Sequence, residues 1–451
     1  MPHTEKLSWK DLAIFTGVAF IVRAVVAWGV CAMVPLLSTA AAYVARGAQL
    51  VGSFPGIDAH YWPPGLPYLL ALVFSFLEPG AGTARLVSVT ASTLTAPMVA
   101  LAAWELFASR RTACRAGWIA ALYPPAVMWV GQPNSHHVAG LLMVVVFWGL
   151  AVGERTGGGA ATVVAALAAG YACITRPAML MLLPAVALWM LLTSRRSIPL
   201  SRRIRRSGIW LLASTPLVVA VMAHNAAFGA GWVVSTNNER NFFLGNNPYT
   251  PIYKTSHLAQ RPDLSGLDAD TAAYLRSVYG ADEPRQAMMA EAWRHIRNEP
   301  LTAVRRVFSR ARALWGFDYV ASRQLQDVFS LSNAQLATLL MLEGGGYVLV
   351  LVLALCGVFI VRRWQPRPTG LLPVLLSAAA APYLVTFASG TYHFALMGLV
   401  IPMAGSGLVA VAERDEGSAA TRARSLFFIA IVVFGAIQVE YAYHAVKYAL
   451  R

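Results

Sequence analysis

The sequence predicts an all-α integral membrane protein, a polytopic helical bundle of about eleven spans with interfacial helices in its first outer loop and one large outer loop. Of the 451 residues, 57% are hydrophobic and 13% charged, more apolar surface than a soluble fold can bury. Apolar runs of roughly 20 residues recur along the chain, each long enough to cross a bilayer as a helix. Short basic clusters separate many of these runs, as expected where arginine keeps loops on the cytoplasmic side.

Lys6 and Lys10 place the N-terminus inside. The first run, Leu12 to Leu36, carries Arg23 and lacks a small-residue cleavage site, so it reads as a retained span. The segment from Tyr43 to Leu77 is then outside. Its apolar part, Leu66 to Leu77, is too short to cross about 30 Å of hydrocarbon and reads as an interfacial or re-entrant helix. Leu86 to Phe107 returns inward and delivers Arg110, Arg111 and Arg115 to the cytoplasm. Gly117 to Val130 emerges at Gln132-Pro133-Asn134-Ser135-His136-His137, a turn without lysine or arginine.

Val138 to Val152 goes back in and ends at Glu154-Arg155. Ala160 to Ile174 and Ala178 to Leu192 form a hairpin whose outer turn is Thr175-Arg176-Pro177. The densest basic cluster follows, with Arg195, Arg196, Arg202, Arg203, Arg205 and Arg206. Ile209 to Ala227 exits to a polar stretch from Ala230 to about Gln335. Within it Leu301, Val304, Val307, Phe308, Ala311, Leu314 and Trp315 recur at helical spacing, with Arg305, Arg306, Arg310 and Arg312 between them, predicting a helix on the membrane surface. Gly344 to Val361 ends at Arg362, Arg363 and Arg367. Leu371 to Phe387 emerges at Ser389-Gly390-Thr391-Tyr392-His393. Phe394 to Val411 returns to the charged turn Glu413 to Arg424, and Ser425 to Tyr443 leaves the C-terminus outside.

The net charge of +15 does not indicate a nucleic-acid partner, because no basic stripe interleaved with aromatics lies on a soluble domain. The charge reports orientation in the membrane instead. The four cysteines show no paired spacing for a metal or a disulfide framework and read as packing residues. Asp58, His60, His136, His137, Arg176, Tyr392, His393 and the large loop all fall on the outer face. Polar side chains at membrane depth normally line a cavity, so the expected site opens outward.

Several motifs in order resemble the GT-C glycosyltransferases of the protein O-mannosyltransferase and lipid A aminoarabinose transferase type. The first outer loop has Tyr43 and then Pro63-Pro64-Gly65-Leu66-Pro67; Ala84-Arg85-Leu86 opens the second span, and Tyr123-Pro124-Pro125 makes a proline step. Thr175-Arg176-Pro177 matches a hairpin turn, and Ser235-Thr236-Asn237-Asn238 with Gly245-Asn246-Asn247-Pro248 opens the large loop. Tyr392 and Pro402 fall in the matching late span. The resemblance runs to about Gly407 and implies an N-terminal transmembrane module over 1–229 with a functional first outer loop at 37–84. An extracytoplasmic loop over 230–337 and C-terminal spans over 338–451 follow. Three acidic or basic family positions are occupied differently, by Thr39, by Ser135-His136-His137 and by Thr391.

The resemblance implies transfer of a sugar from a polyprenyl phosphate, inverting at the anomeric carbon, to a glycan, lipid or protein acceptor at the extracytoplasmic face of the inner membrane. No cofactor is required, and a divalent metal is optional. Such chemistry needs a cation at the leaving phosphate, a base at the attacking hydroxyl and a sugar-shaped cavity. Arg176 is the phosphate candidate, because a guanidinium offers a planar, permanently charged fork, with Thr175, Tyr392 and His393 beside it on the donor side. The alternative is an arginine that snorkels to lipid headgroups. With Thr39 where the family carries an aspartate, Asp58 is the candidate base and His60, two residues on, the second; either also reads as a solvated loop residue.

His136 and His137, with Arg240, Asn241, Asn246 and Asn247 beside Phe242, Phe243 and Tyr249, suit hydroxyl recognition and ring stacking on the acceptor or sugar side. Asn-Pro is equally ordinary turn chemistry. Several outer histidines raise a metal site, but no His or Cys spacing supports it. Glu343 is a reserve acid. Two other functions compete: a GT-C-like binding or assembly subunit that has lost transfer, and a transporter for a lipid-linked saccharide, which the lack of an internal repeat disfavours. An O-antigen-ligase-like enzyme is disfavoured by the proline-rich first loop.

Overall fold

The computed structural model describes residues 7–52, 60–192, 199–259, 263–359, 370–412 and 421–449. Asp58, Arg195, Arg196, Arg362, Arg363, Arg367 and the turn from Glu413 lie outside them. Among the described residues the chain is helical, with no strand. Seven helices are long and apolar enough to span a bilayer: Trp9–Val30, Ala81–Phe107, Ser135–Thr156, Leu200–Ala227, Asn333–Phe359, Gly390–Ala412 and Ser425–His444. Gly159–Thr175, Pro177–Leu192 and Leu371–Val385 are shorter apolar helices. The span expected over Gly117 to Val130 is broken: one helix covers Arg110–Leu122 and a separate turn covers Pro124–Met128.

That break has a chemical cause and a partner. In an α-helix the N–H groups of residues 124 and 125 would bond the carbonyls of Ala120 and Ala121, but both are prolines and donate nothing. Arg23, 1% exposed in the first span, fills the gap. Its Nη1 donates to the Ala121 carbonyl at 2.6 Å, its Nη2 to Ala120 at 3.0 Å and its Nε to Ser92 Oγ at 2.7 Å. A charge that would be prohibitive against lipid thereby caps a helix end inside the bundle.

Gly390–Ala412 is the centre of the bundle, most of its residues buried, whereas the first and last spans bury few of theirs and lie at its edge. The centre packs against Gly346–Phe359, Arg110–Leu122, Ala81–Phe107 and Ser135–Thr156. Glycines allow the closest contact, since a Cβ on Gly357 would lie 2.0 Å from the Met403 carbonyl and one on Gly407 1.9 Å from that of Leu353. Without a hydrophobic drive between helices in lipid, such backbone approach supplies the packing.

Ion pairs knit the helix termini at one end: Asp11 with Arg110 at 2.9 Å, Glu105 with Arg155 at 2.8 Å, and Glu154 with Arg206 at 2.6 Å. These are the turns that the basic clusters place in the cytoplasm. At the other end Arg85 donates to the carbonyls of Gly131 and Val34, and Gln132 takes the Leu37 amide and donates to Pro35, pinning the start of the first outer loop.

The large loop is structured. Asn237–Gly245, Ala269–Tyr279 and Pro284–Asn298 share a core of Phe242, Phe243, Leu244, Leu275, Val278 and Met288. Pro300–Leu314 presents Leu301, Val304 and Phe308 outward at 60%, 52% and 72% exposure. Its Arg306 and Arg310 turn inward and are buried, where they donate to the carbonyls of Asn247, Thr250, Leu384 and Val385. The apolar side is therefore free for the membrane surface, and two of the arginines act as internal staples.

Candidate functional site

Arg176 stands at the outer end of the bundle, between the Gly159–Thr175 helix and the turn that begins at Pro177. Pro177 cannot extend the helix through a backbone N–H, so the chain turns there with Arg176 in an extended conformation. The Pro-Pro-Gly motif of the first outer loop lies directly against this turn. A Cβ on Gly65 would sit 2.3 Å from Thr175 Oγ1 and 2.7 Å from its Cα, and Tyr171 donates its hydroxyl to the Gly65 carbonyl at 2.7 Å. Two motifs more than a hundred residues apart thus form one contact.

The Arg176 guanidinium is surrounded by neutral groups. Its Nε donates to Tyr383 Oη at 3.0 Å, and its Nη1 to Ser135 Oγ at 3.3 Å and to His136 Nδ1 at 2.7 Å. Accepting that bond makes the His136 ring a neutral imidazole with its proton on Nε2. The rings of Tyr392 and Tyr383 face the cation at 5.3 and 5.7 Å. Tyr43, 5% exposed, lies within electrostatic reach and packs on Trp62 at 5.4 Å. Among the described residues no carboxylate is bonded to Arg176 or stands among the main groups acting on it, and its Nη2 donates to no protein group. A largely enclosed cation whose described partners are neutral suits an anion as a further partner.

Tyr61, beside Trp62 at 4.9 Å, joins this site to a second arginine. Arg240 donates to Tyr61 Oη at 2.7 Å and lies 5.5 Å from the Tyr279 ring. The first outer loop and the large loop therefore meet, tied by Tyr61 and Arg240.

The other sequence candidates divide. Tyr392 and His136 reach Arg176; Arg240 reaches the rim. His137 is not among the groups bonded to Arg176; its ring lies 5.4 Å from Phe394, and with His136 it lines a small inner cavity beside Arg23, Ser92, Thr95 and Tyr123. Thr175 bonds back to the Tyr171 carbonyl. His393 is buried, bonded to the Leu314 carbonyl at 2.8 Å and stacked on Tyr347 at 4.2 Å. His60 bonds Asn225 at 2.9 Å, and its carbonyl takes the Thr236 amide. Asn246 and Asn247 are 1% and 0% exposed, with their side-chain amides committed to the carbonyls of Phe242, Val385 and Phe243. These two asparagines brace the loop. Asn241 flanks Arg240 on the same short helix, and Asp58 is not among the described residues.

Sequence reasoning passed over Tyr383, Tyr61, Trp129 and Asp318. Asp318 follows the Arg-rich helix of the large loop. Burial pushes its carboxyl up to about 6, against the backbone hydrogen bonds it accepts. Its Oδ1 accepts from the amides of Tyr319 and Val320 at 2.9 and 3.3 Å. Glu343, fully buried, accepts from the next two amides, Ala321 and Ser322, at 3.2 and 2.8 Å, and from Ser322 Oγ at 2.6 Å. Two carboxylates thus share the free N–H groups at the start of the Val320–Phe329 helix, where the helix dipole favours negative charge. The only signal in the sequence is an aspartate set among aromatics, Phe317-Asp318-Tyr319. Among the described residues no three His, Cys, Asp or Glu side chains converge as metal ligands.

Residues 62–225 match the family model described as dolichyl-phosphate-mannose-protein mannosyltransferase. No curated protein matches the chain at a significant level. Among solved structures, the oligosaccharyltransferase AglB of Archaeoglobus fulgidus, in complex with an inhibitory peptide and a dolichol-phosphate, superimposes with a TM-score of 0.51 at 12% identity, covering 97% of this chain. The oligosaccharyltransferase of the same organism tethered to an acceptor peptide gives 0.51 at 11% identity over 97% of this chain and 55% of its own. ArnT from Cupriavidus metallidurans, bound to undecaprenyl phosphate, gives 0.42 at 16% identity over 88% of this chain and 77% of its own. The chain spans 56% of the length of AglB. It is a multi-pass membrane protein with the GT-C glycosyltransferase fold.

Proposed function

We propose that this protein is a membrane glycosyltransferase that moves a sugar from a polyprenyl-phosphate donor to a glycan, lipid or protein acceptor. The observation that carries this reading is Arg176, enclosed by Tyr383, Ser135, His136 and Tyr392 with no carboxylate bonded to it among the described residues. A phosphate fits the charge and the open Nη2, and the flanking aromatic rings offer stacking faces for a sugar. The fold and the family match over 62–225 support the same class. The site lies at the bundle end opposite the arginine-rich termini, which supports an inner-membrane protein with its site facing the periplasm or outside.

In the proposed reaction Arg176 holds the phosphate as the bond to the anomeric carbon breaks and negative charge grows on the leaving oxygen. His136 and Tyr383 fix the guanidinium, so little reorganisation is needed as charge develops. The test uses the purified protein in lipid nanodiscs with undecaprenyl phosphate, bound species being counted by native mass spectrometry. Arg176→Ala is expected to weaken binding about 10- to 100-fold, the worth of a charge-assisted hydrogen-bonded contact. Unchanged affinity in a folded variant would refute the phosphate role.

A second reading, a binding or assembly subunit without transfer, is favoured by one observation. Thr39, at the family's acidic position, is exposed on the Ser38–Leu50 helix one turn before the buried Tyr43. Carrier binding by the wild type without sugar transfer from any of a set of polyprenyl-phosphoryl sugars would establish that reading instead.

A further inference from the structure

We infer that Gln438, in the last span, is a positioning residue for the Arg176 site: it locks the corner at the end of the Pro300–Leu314 helix, and that corner sets the place of Tyr392. The inference rests on the phosphate reading of Arg176 above. Much of the Ser425–His444 span is exposed, with Phe428, Ile429, Val432, Val433 and Val439 turned outward. Phe434, Gln438 and Tyr441, three to four residues apart and so on one helix face, turn inward. Phe434 and Gln438 are buried and Tyr441 is half-buried. A buried glutamine on an otherwise apolar span calls for polar partners.

Its partners are two backbone groups at the corner. Gln438 Oε1 accepts from the Phe317 amide at 3.0 Å, and its Nε2 donates to the Trp315 carbonyl at 2.9 Å. The side-chain amide can face only one way, because a backbone N–H donates and a carbonyl accepts. Both groups lie past the end of the Pro300–Leu314 helix, outside its hydrogen-bond ladder, so this corner depends on a side chain from another element. Neighbours on the same span add to the grip. The Tyr441 ring packs on Phe317 at 6.2 Å, and Glu440 pairs with Arg312.

The corner bears directly on the Arg176 site. Gly390, at the start of the turn that holds Tyr392, approaches so closely that an added Cβ would lie 2.8 Å from the Gly316 carbonyl oxygen and 3.2 Å from that of Phe317. On the other side of Tyr392, His393 Nδ1 bonds the Leu314 carbonyl at 2.8 Å. Leu314 shares an apolar cluster with Tyr383, and Tyr392 packs against that cluster. Tyr392 is therefore held from both flanks by the backbone of the corner, with its ring 5.3 Å from the Arg176 guanidinium. A cation–ring contact needs the charge within about 6 Å of the ring centre. A corner that loosens takes Tyr392 out of that range. Glutamine supplies the acceptor and the donor together, whereas a leucine of similar size supplies neither.

The experiment measures undecaprenyl phosphate binding in nanodiscs by native mass spectrometry, together with amide hydrogen exchange resolved by peptide. It compares wild type, Gln438→Leu, Tyr392→Leu, the double variant and Phe427→Ala. Phe427, its ring 6.4 Å from Phe359, packs the same span about three helical turns before Gln438 and controls for loss of span packing. Gln438→Leu is expected to weaken carrier binding about 3- to 10-fold and to raise exchange across 313–317 and 388–394 about 10-fold. Tyr392→Leu is expected to weaken binding by a similar factor. The double variant is expected to bind no more weakly than Tyr392→Leu, because Gln438 acts through that ring. Phe427→Ala is expected to keep affinity within about twofold even where its melting temperature falls. Additive losses in the double variant would overturn the assignment, as would a loss in Phe427→Ala equal to that in Gln438→Leu. A wild type that binds no carrier overturns the phosphate reading instead. Exchange then decides by itself: a wild-type rate across 388–394 in Gln438→Leu overturns the positioning role, and a raised rate upholds it.

Discussion

Gly65 illustrates how one residue couples two motifs. Any side chain there would enter the space of Thr175, whose Oγ1, Cα and backbone N lie 2.3, 2.7 and 2.8 Å from an added Cβ. The obstacle includes backbone, so a rotamer change cannot relieve it, and Arg176 is the next residue along. Overpacking of this kind typically costs about 1–3 kcal/mol. Gly65→Ala is expected to lower the melting temperature and to weaken undecaprenyl phosphate binding severalfold, because the strain displaces the Arg176 turn. A variant with wild-type melting and wild-type affinity would show that the two motifs are not coupled. The Pro-Pro-Gly and Thr-Arg-Pro motifs were legible in the sequence as separate signals. Their contact was not, because no local rule links residues more than a hundred positions apart.

The Pro300–Leu314 helix shows what periodicity reveals about an element and what it leaves open. Its alternation of apolar and arginine positions predicts a surface helix, and Leu301, Val304 and Phe308 do point outward. The arginines are not equivalent, however. Arg305 is exposed, while Arg306 and Arg310 are buried and bind backbone carbonyls of the loop and of the helix that ends at Val385. Burial holds the Arg306 and Arg310 guanidinium groups below their usual range, at about 10 and about 9. Both remain cationic at neutral pH. A tryptophan at position 308 should be quenched by lipids carrying a spin label close to the headgroup and less by labels deep in the acyl region. Emission insensitive to either label would remove this helix from the interface. Asn246 and Asn247 carry a related lesson. Amides beside aromatics suggested sugar recognition, yet the fold turns them inward to satisfy main-chain carbonyls.

Across the whole molecule, the two ends of the bundle have opposite chemistry. One end joins Asp11, Glu105 and Glu154 to Arg110, Arg155 and Arg206, and the other gathers tyrosines, neutral histidine and an arginine bonded to no carboxylate among the described residues. Segregation of this kind is what the positive-inside rule produces when a site faces away from the cytoplasm. In a background with the four native cysteines replaced, Asp270→Cys should react with a membrane-impermeant maleimide added to the outer side of the sealed membrane. Arg205→Cys should react only after that membrane is opened. The reverse pattern would invert the topology and place the Arg176 site in the cytoplasm.

Composition and hydropathy by themselves determined that this is a many-span helical membrane protein with one large loop, because spanning length and backbone satisfaction in lipid leave few alternatives. Motif order singled out Arg176, and with it His136 and Tyr392 on the same face. Tertiary structure alone decided which polar groups serve each other. It spent Asn246, Asn247 and His393 on internal carbonyls, matched Arg23 to the two carbonyls freed by Pro124 and Pro125, and brought Tyr383 and Ser135 to Arg176. It also set Asp318 and Glu343 on the free amides at the start of the Val320–Phe329 helix. The reason is physical. Span length and loop charge are properties of contiguous sequence, whereas the hydrogen-bond partner of a buried group depends on which distant segment packs beside it.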